Sequence, residues 1–400
     1  MMDYIETSAE RCSGCSACAA VCPAQAIVMQ ADSEGFSCPE VDVERCVHCG
    51  LCRKTCPALN TQNNSSSIRK AYAVKWVDDL RKDSASGALF PAIAKYILEE
   101  KGGWICGCVL EDMLPLHIVS NRWSDVRRMQ DSKYVQSDMR NCFSEIAAFL
   151  QAGKWILFSG TSCQVAGLKA FLKAKRQDDG HLVTMDFFCH GVPSPLIWKE
   201  YLNFYKQKKG RTPVSFRFRS KKYGWGKAAR GSSHLSCVAF AGRRGKVVED
   251  SFSWASRMWR KVFFSNLCIR SYCHTCPYAS IEKPADITVG DFWGIEKVAP
   301  NFDDGKGCSV ALVRTMKGQE ILDETVWISK MEVTLDDSIA KQANAFSPSE
   351  ADPAREQFWK DYKAKGFPYV AKTYFGYTAT ARTKAFIKRI LFAFHLKDIY

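Results

Sequence analysis

The sequence is short of the features that mark export and membrane residence. None of its apolar runs reaches the roughly 18 residues needed to cross a bilayer, so no transmembrane helix is expected. Residues 1–11 have neither an apolar run nor a small-residue cleavage site, so no signal peptide is expected. Acidic side chains are missing from residues 206–230, which hold ten Lys or Arg. Such a basic stretch either attracts anions, among them nucleotide phosphates and acidic partners, or forms a solvated loop. No recognised RNA- or DNA-binding module accompanies it, so no nucleic-acid partner is expected. The net charge is +14, unevenly spread: residues 1–56 hold four basic and eight acidic side chains, which leaves the strong excess to the remainder.

Cysteine, by contrast, is abundant, with nineteen in 400 residues. Eight fall into two matching runs. The first is Cys12-x-x-Cys15-x-x-Cys18-x-x-x-Cys22-Pro23, and the second is Cys46-x-x-Cys49-x-x-Cys52-x-x-x-Cys56-Pro57. In the bacterial ferredoxin pattern three thiolates of a run hold one [4Fe–4S] cluster and the fourth crosses to the other. Cys12, Cys15, Cys18 and Cys56 are therefore expected to hold one cluster, and Cys46, Cys49, Cys52 and Cys22 the second. Zinc pairs two Cys-x-x-Cys knuckles or mixes in His, and does not ask for eight thiolates in two identical runs. Cluster thiolates need a reducing compartment, so a cytoplasmic protein is expected.

Four hundred residues suggest two or three domains. A two-cluster ferredoxin unit occupies residues 1–59, and the polar stretch Asn60–Ser67 reads as a linker over 60–70. From Ala71 short apolar strands alternate with amphipathic helices. Strands are predicted at Ala71–Val77, Trp104–Leu110, Trp155–Ser159 and Leu182–Phe188, and helices at Ser84–Glu100, Cys142–Ala152, Cys163–Lys175 and Pro195–Lys208. Further strands at Val214–Arg219, His234–Ala241, Ala285–Val289 and Ser309–Arg314 and a helix at Ser253–Leu267 give the second half a mixed pattern. The fold class is α+β: a small ferredoxin-like two-cluster domain followed by a larger mixed α/β domain over 71–345, with a helical extension at 346–400.

A second group of cysteines stands out by context. Cys163 and Cys189 each follow a predicted strand, and Cys273-x-x-Cys276-Pro277 repeats the shape of the N-terminal loops. In an open α/β sheet, loops at strand carboxyl ends bind ligands. Four thiolates suffice for a third cluster, although buried free cysteines are common in cores. Cys268 competes as a ligand, because Cys268-x4-Cys273-x2-Cys276 matches a plant-type ferredoxin spacing. The remaining six, Cys38, Cys106, Cys108, Cys142, Cys237 and Cys308, read as thiols without a role.

Five ordered segments carry a family resemblance: Ser84–Gly87, Gly160–Leu168, Cys189–Pro195, Arg270–Cys276 and Ser280–Gly294. Together they resemble the beta-subunit family of deazaflavin-reducing hydrogenases and related dehydrogenases, from about residue 70 to 345. The resemblance implies a flavin, usually FAD, beside an additional [4Fe–4S] cluster, and so raises Cys163, Cys189, Cys273 and Cys276 as its ligands. One departure is Ser162, where the family usually has Pro.

What the resemblance implies about function is an iron–sulfur flavoprotein oxidoreductase. It would pass electrons between ferredoxin-type clusters and a flavin that exchanges two electrons with a soluble substrate. Many bacterial relatives accompany polysaccharide synthesis genes. A narrower form is a deazaflavin coenzyme dehydrogenase or reductase, and a different one is a non-catalytic subunit feeding a separate redox enzyme. Ser84, Ser86 and Gly87, together with Thr161, are the candidate flavin contacts, since hydroxyls and small residues at a helix N-terminus suit phosphate. An ordinary capped helix start has the same composition. His190, Lys283 and Asp291 are the candidate catalytic groups; each also fits a structural role. The C-terminal Arg382–Tyr400 is basic and amphipathic, fit for an anionic membrane surface, a partner protein, or packing on its own domain.

Overall fold

A computed structural model describes residues 4–6, 10–60, 67–77, 79–225, 235–241 and 246–394. Of the expected linker, residues 61–66 lie outside the described residues, as does the start of the strand expected at 234–241.

The two cysteine runs fold alike because their local chemistry is alike. Each ends in a five-residue helix, Ala17–Val21 or Leu51–Thr55, entered through a left-handed residue, Ser16 (φ 67°) or Gly50 (φ 69°). Each helix stops at a cysteine in extended conformation, Cys22 (φ −67°, ψ 114°) and Cys56 (φ −70°, ψ 115°). The cause is the proline that follows, whose ring disfavours helical backbone in the residue before it. Between the runs, β1 (Ile27–Ala31) and β2 (Ser37–Val41) pair as an antiparallel hairpin. Its turn is set by Asp32, whose carboxylate accepts from the amides of Glu34 and Phe36, both at 2.9 Å.

The large domain is built on an eight-stranded sheet. In chain order its strands are β3 (Lys70–Trp76), β4 (Trp104–Glu111), β5 (Leu114–Ser120), β6 (Ile156–Ser159) and β7 (Leu182–Phe187). A separate three-stranded sheet of β8 (Pro213–Arg217), β9 (Cys237–Ala241) and β10 (Val247–Asp250) follows. The large sheet then resumes with β11 (Ile287–Asp291), β12 (Ser309–Val313) and β13 (Ile328–Val333), giving the spatial order β13-β3-β12-β11-β7-β6-β4-β5. β4, β6, β7 and β11 run parallel, while β5, β12 and β3 pair antiparallel with their neighbours. The parallel strands are buried on both faces. Leu89, Ile93, Val126 and Ile321 cover one face, and Ile146, Val165, Leu168 and Phe171 the other. A third core joins helices Pro195–Lys209, Trp254–Phe264 and Arg355–Thr373 around Trp198, Tyr201, Trp259 and Phe358.

Two helices differ from the sequence-based expectation. The helix expected from Ser84 starts at Leu89, because Ser86 (φ 138°) and Ala88 (φ 66°) leave helical space. Gly87 is forced to stay small: a Cβ there would lie 2.3 Å from the Val74 carbonyl oxygen. The helix Arg355–Thr373 is interrupted at Gly366 (φ 71°), two residues before Pro368, which cannot donate to the helical ladder. Among the described residues no helix is long and apolar enough to cross a membrane.

The ferredoxin unit is seated on the large domain. The Arg355 guanidinium pairs with the Glu34 carboxylate (Nη1 to Oε1 3.1 Å), and the Ser194 hydroxyl donates to the Glu34 carbonyl at 2.5 Å. Gly167, on helix Ser162–Ala174, faces the first cysteine loop; a Cβ there would meet the Cys15 Sγ at 2.9 Å. Helix and loop can approach this closely only because residue 167 has no side chain.

Candidate functional site

The twelve singled-out cysteines fall into three groups in space. Cys15 has Cys12 and Cys56 as charge neighbours, and Cys18 has Cys12, Cys15 and Cys56. Cys22, Cys46, Cys49 and Cys52 line a small cavity of their own at the outer end of the ferredoxin unit. The crossing of Cys22 and Cys56 between the two runs follows from the helix that carries each past its own loop.

The third group lies at the carboxyl ends of β6 and β7. Cys163 is the second residue of helix Ser162–Ala174, and Cys189 follows β7. Cys273 and Cys276 come from the short 3₁₀ turn Ser271–Thr275. Cys276 is extended (φ −62°, ψ 118°), like Cys22 and Cys56, and a proline again follows it. Cys273 has Cys189, Cys163 and Cys276 as charge neighbours. Burial pushes the thiols up, Cys189 to about 12 and Cys163 to about 11, so ionising them requires compensating positive charge. Among the described residues no three metal-ligating side chains close on one ion-sized point. A four-iron cubane needs its thiolates spread around open space instead, and Cys163, Cys189, Cys273 and Cys276 all line one cavity.

The first and third groups adjoin. Cys163 is a charge neighbour of Cys15, and Tyr278 has Cys163, Cys15, Cys276 and Cys56 around it.

The cavity shared with the third group has a volume of about 550 Å³, within the range of small-molecule sites. Phe187, Phe188, Phe263, Phe264 and Trp293 give it aromatic walls, and Lys133 and Arg219 are among its cationic side chains. Two of the residues that line it also hold buried acceptors without a partner, Gln130 Oε1 and His117 Nδ1, set back from the open space. The loop 84–88 closes one side. Its hydroxyls hold the loop itself: Ser84 Oγ accepts from Gln130 at 2.9 Å, and Ser86 Oγ donates to the Cys308 carbonyl at 2.7 Å. The Gly87 amide donates to Ser309 Oγ at 3.0 Å. The helix start at Leu89 has no side-chain cap, so its first-turn amides are not covered by a capping oxygen.

Residues 153–337 match the family model for the C terminus of the coenzyme F420 hydrogenase/dehydrogenase beta subunit, and residues 11–60 match a 4Fe-4S dicluster domain. The chain carries both domains. A search of the curated proteins gives no match. Among solved structures, one titled for the F420-reducing [NiFe] hydrogenase complex from Methanosarcina barkeri aligns at 16% identity with a TM-score of 0.43. The alignment covers 76% of this chain and 91% of that one.

Within the matched region 153–337 the expected site residues separate. His190 lines the cavity, with Nε2 2.9 Å from Asn266 Oδ1 and Nδ1 3.0 Å from Ser349 Oγ. Burial moves its pKa down, so the ring is neutral near pH 7. Asp291 also lines the cavity, but its carboxylate is engaged by Arg219 at 2.6 Å. Lys283 does not reach the cavity wall. It is buried behind the third cysteine group, donating to the Tyr278 carbonyl at 2.6 Å, and it is a charge neighbour of Cys189 and Cys276. Thr161 begins the helix of Cys163, its amide donating to Gln164 Oε1 at 2.9 Å and its hydroxyl 3.1 Å from Cys163 Sγ. Cys268, which spacing made a competitor, belongs to the aromatic core with Trp198 and Trp259, and its charge neighbours are Arg355 and Glu34.

Of the basic stretch, residues 226–230 lie outside the described residues, and several of the described cations are paired. Lys209 pairs with Asp250, Arg217 with Asp83 at 2.9 Å, and Lys222 with Glu249 at 2.5 Å. Lys221 turns inward to the carbonyls of Arg81 and Ser86. Sequence reading missed Arg219, Lys133 and Gln130 as cavity residues. Their only signal was position after a strand or helix, which many residues share.

Proposed function

We propose that this chain is a flavin-dependent iron–sulfur oxidoreductase acting on a soluble substrate. The observation that carries the reading is a continuous arrangement: an outer thiol set, an inner set beside it, a third set against that one, and an aromatic cavity behind the third. Cys12, Cys15, Cys18 and Cys56 would hold one cluster, Cys22, Cys46, Cys49 and Cys52 the second, and Cys163, Cys189, Cys273 and Cys276 the third. The cavity suits a flavin because its volume of about 550 Å³ and its aromatic walls match a planar ring system set beside the third thiol set. A flavin supplies the exchange between electron pairs and single electrons.

The chain's own residues then have definite tasks. Phe187, Phe188 and Trp293 exclude water from the cavity. The uncapped amides at Leu89 favour a phosphate-bearing ligand, which is the argument for FAD. His190, neutral with its Nε2–H held by Asn266 Oδ1, is the candidate for taking a proton at Nδ1, beside the Ser349 hydroxyl, while Asp291 orients Arg219. Lys283 offsets thiolate charge at Cys189 and Cys276. The matched family description makes a deazaflavin coenzyme the first two-electron substrate to try. A redox partner protein is expected at the outer thiol set. A second contact is proposed at helix Ala379–Ala393, where Phe386, Ile387, Ile390 and Phe394 are exposed among Arg382, Lys384 and Arg389, as an anionic lipid surface would require.

The test is anaerobic purification with iron, sulfide and flavin measured on one sample. About twelve irons, four per cubane, with one flavin per chain are expected. Cys189→Ala should lose about four of those irons and keep the ferredoxin-type signal. Unchanged iron content would remove Cys189 from the ligand set, and absence of flavin after reconstitution would end the flavin reading.

A further inference from the structure

Arg270 is 1% exposed, the titratable groups beside it are the thiols of Cys12, Cys38 and Cys273, and among the described residues no carboxylate forms an ion pair with it. Its side chain reaches into the ferredoxin unit. Nε donates to the Cys12 carbonyl at 2.5 Å, Nη2 to Cys38 Sγ at 3.1 Å, and Nη1 to Gln136 Oε1 at 3.3 Å. The guanidinium also lies over the Phe36 ring, 5.4 Å from its centre. Its backbone belongs to the other side. The Arg270 amide donates to the Val192 carbonyl at 3.0 Å, and its carbonyl accepts from the Cys273 amide at 2.9 Å. One residue therefore ties the loop of Cys12 to the loops of Cys189 and Cys273.

A buried guanidinium without an anion is costly, because the lost hydration has no replacement. Neutral thiols and carbonyl oxygens replace only part of it. Thiolates holding iron carry net negative charge in both neighbouring sets, and that charge completes the pairing. We propose that Arg270 is the shared counter-charge of the Cys12 and Cys163 thiolate sets, a positioning residue that raises the reduction potential of the groups they hold. This rests on the cluster assignment proposed above. A cation beside a cluster favours its reduced form, which is the more negative one, so removing the cation lowers the potential. The set of Cys22, Cys46, Cys49 and Cys52 lacks this neighbour and serves as an internal reference.

The experiment is a redox titration of the whole chain followed by electron paramagnetic resonance, after iron quantitation. In Arg270→Gln the reduced-to-oxidised ratio of the Cys12 set at fixed potential should fall at least tenfold, a shift of about 59 mV for one electron. The Cys163 set should move in the same direction, the outer set should stay, and Arg270→Lys should restore most of the difference. Gln136→Glu offers an independent variant, since it sets a carboxylate against the same guanidinium and should lower the same potentials should Arg270→Gln fail to fold. Potentials that stay put in a variant with full iron overturn the inference alone. A wild-type chain without iron at the Cys12 set overturns both the inference and the cluster assignment beneath it.

Discussion

His117 shows what the cavity does to a single titratable side chain. It is 2% exposed, and the ring stacks near Phe158 with centroids 5.9 Å apart. Nε2 lies 3.2 Å from the Ser159 carbonyl and donates to it, which leaves Nδ1 as an unpartnered acceptor. Burial lowers its pKa to about 4, against an ordinary value near 6.5. The unfolded chain therefore takes up a proton that the folded chain refuses, and stability falls as pH drops from about 6.5 towards 4. The loss should reach about 3 kcal/mol, and His117→Gln should flatten that part of the profile in urea unfolding. An unchanged slope would show that the folded ring accepts the proton with ease. Legibility differs residue by residue for a physical reason. Cysteine spacing is local chemistry, so the N-terminal thiol sets could be read from twelve-residue windows. The contacts of Arg270 with Cys12 and Gln136 join residues more than 130 positions apart, and nothing in the local pattern announces them.

At the scale of elements, the strands and helices of the sheet domain were legible because each buries a periodic face. The predicted strands at Trp104–Leu110 and Leu182–Phe188 are found at Trp104–Glu111 and Leu182–Phe187. The start of the helix after Ser84 was not legible, since the positive φ at Ser86 and Ala88 accompanies the close packing of Gly87 on Val74 and Ser309 of distant strands. The last helix was the least decided element, with packing, protein docking and lipid contact all open. Its apolar residues Phe386, Ile390 and Phe394 recur every four positions and are 60%, 40% and 71% exposed, whereas Ala385 on the opposite side is buried. No acidic residue lies between Asp361 and Asp398. A second copy, itself strongly basic, suits that surface poorly. Vesicles rich in phosphatidylserine should therefore sediment the chain at low salt, with phosphatidylcholine vesicles failing to do so. Phe386→Glu with Ile390→Glu should abolish the effect without changing thermal unfolding. Equal binding to both kinds of vesicle would remove the charge argument.

The whole molecule is electrically lopsided. Its ferredoxin unit is acidic, and Asp42 and Glu44 stand exposed beside Cys46 and Cys49, while the rest of the chain is basic. Valines 43 and 47 are 52% and 62% exposed in the same loop, where Arg45 stands exposed between the two carboxylates and the cysteine run. Electrons delivered there by a cationic donor should arrive fastest at low ionic strength. Reduction by the methyl viologen radical cation should therefore slow as salt rises from about 20 to 200 mM, a change that shortens the screening length severalfold. An anionic mediator should show the opposite trend. Identical salt dependence for the two would place electron entry elsewhere.

The unequal wetting of the two ferredoxin loops has a further consequence. Cys49 is exposed and Cys46 half-buried, whereas Cys12, Cys15, Cys18 and Cys56 are covered. Corrosion by dioxygen then proceeds from the rim inward. A sample handled in air would shed iron in steps of about four, first from the outer loop, and the stripped intermediate would still hold its inner metal. Such a molecule would look intact by colour yet have lost its terminal, the point where a partner could connect to the wire.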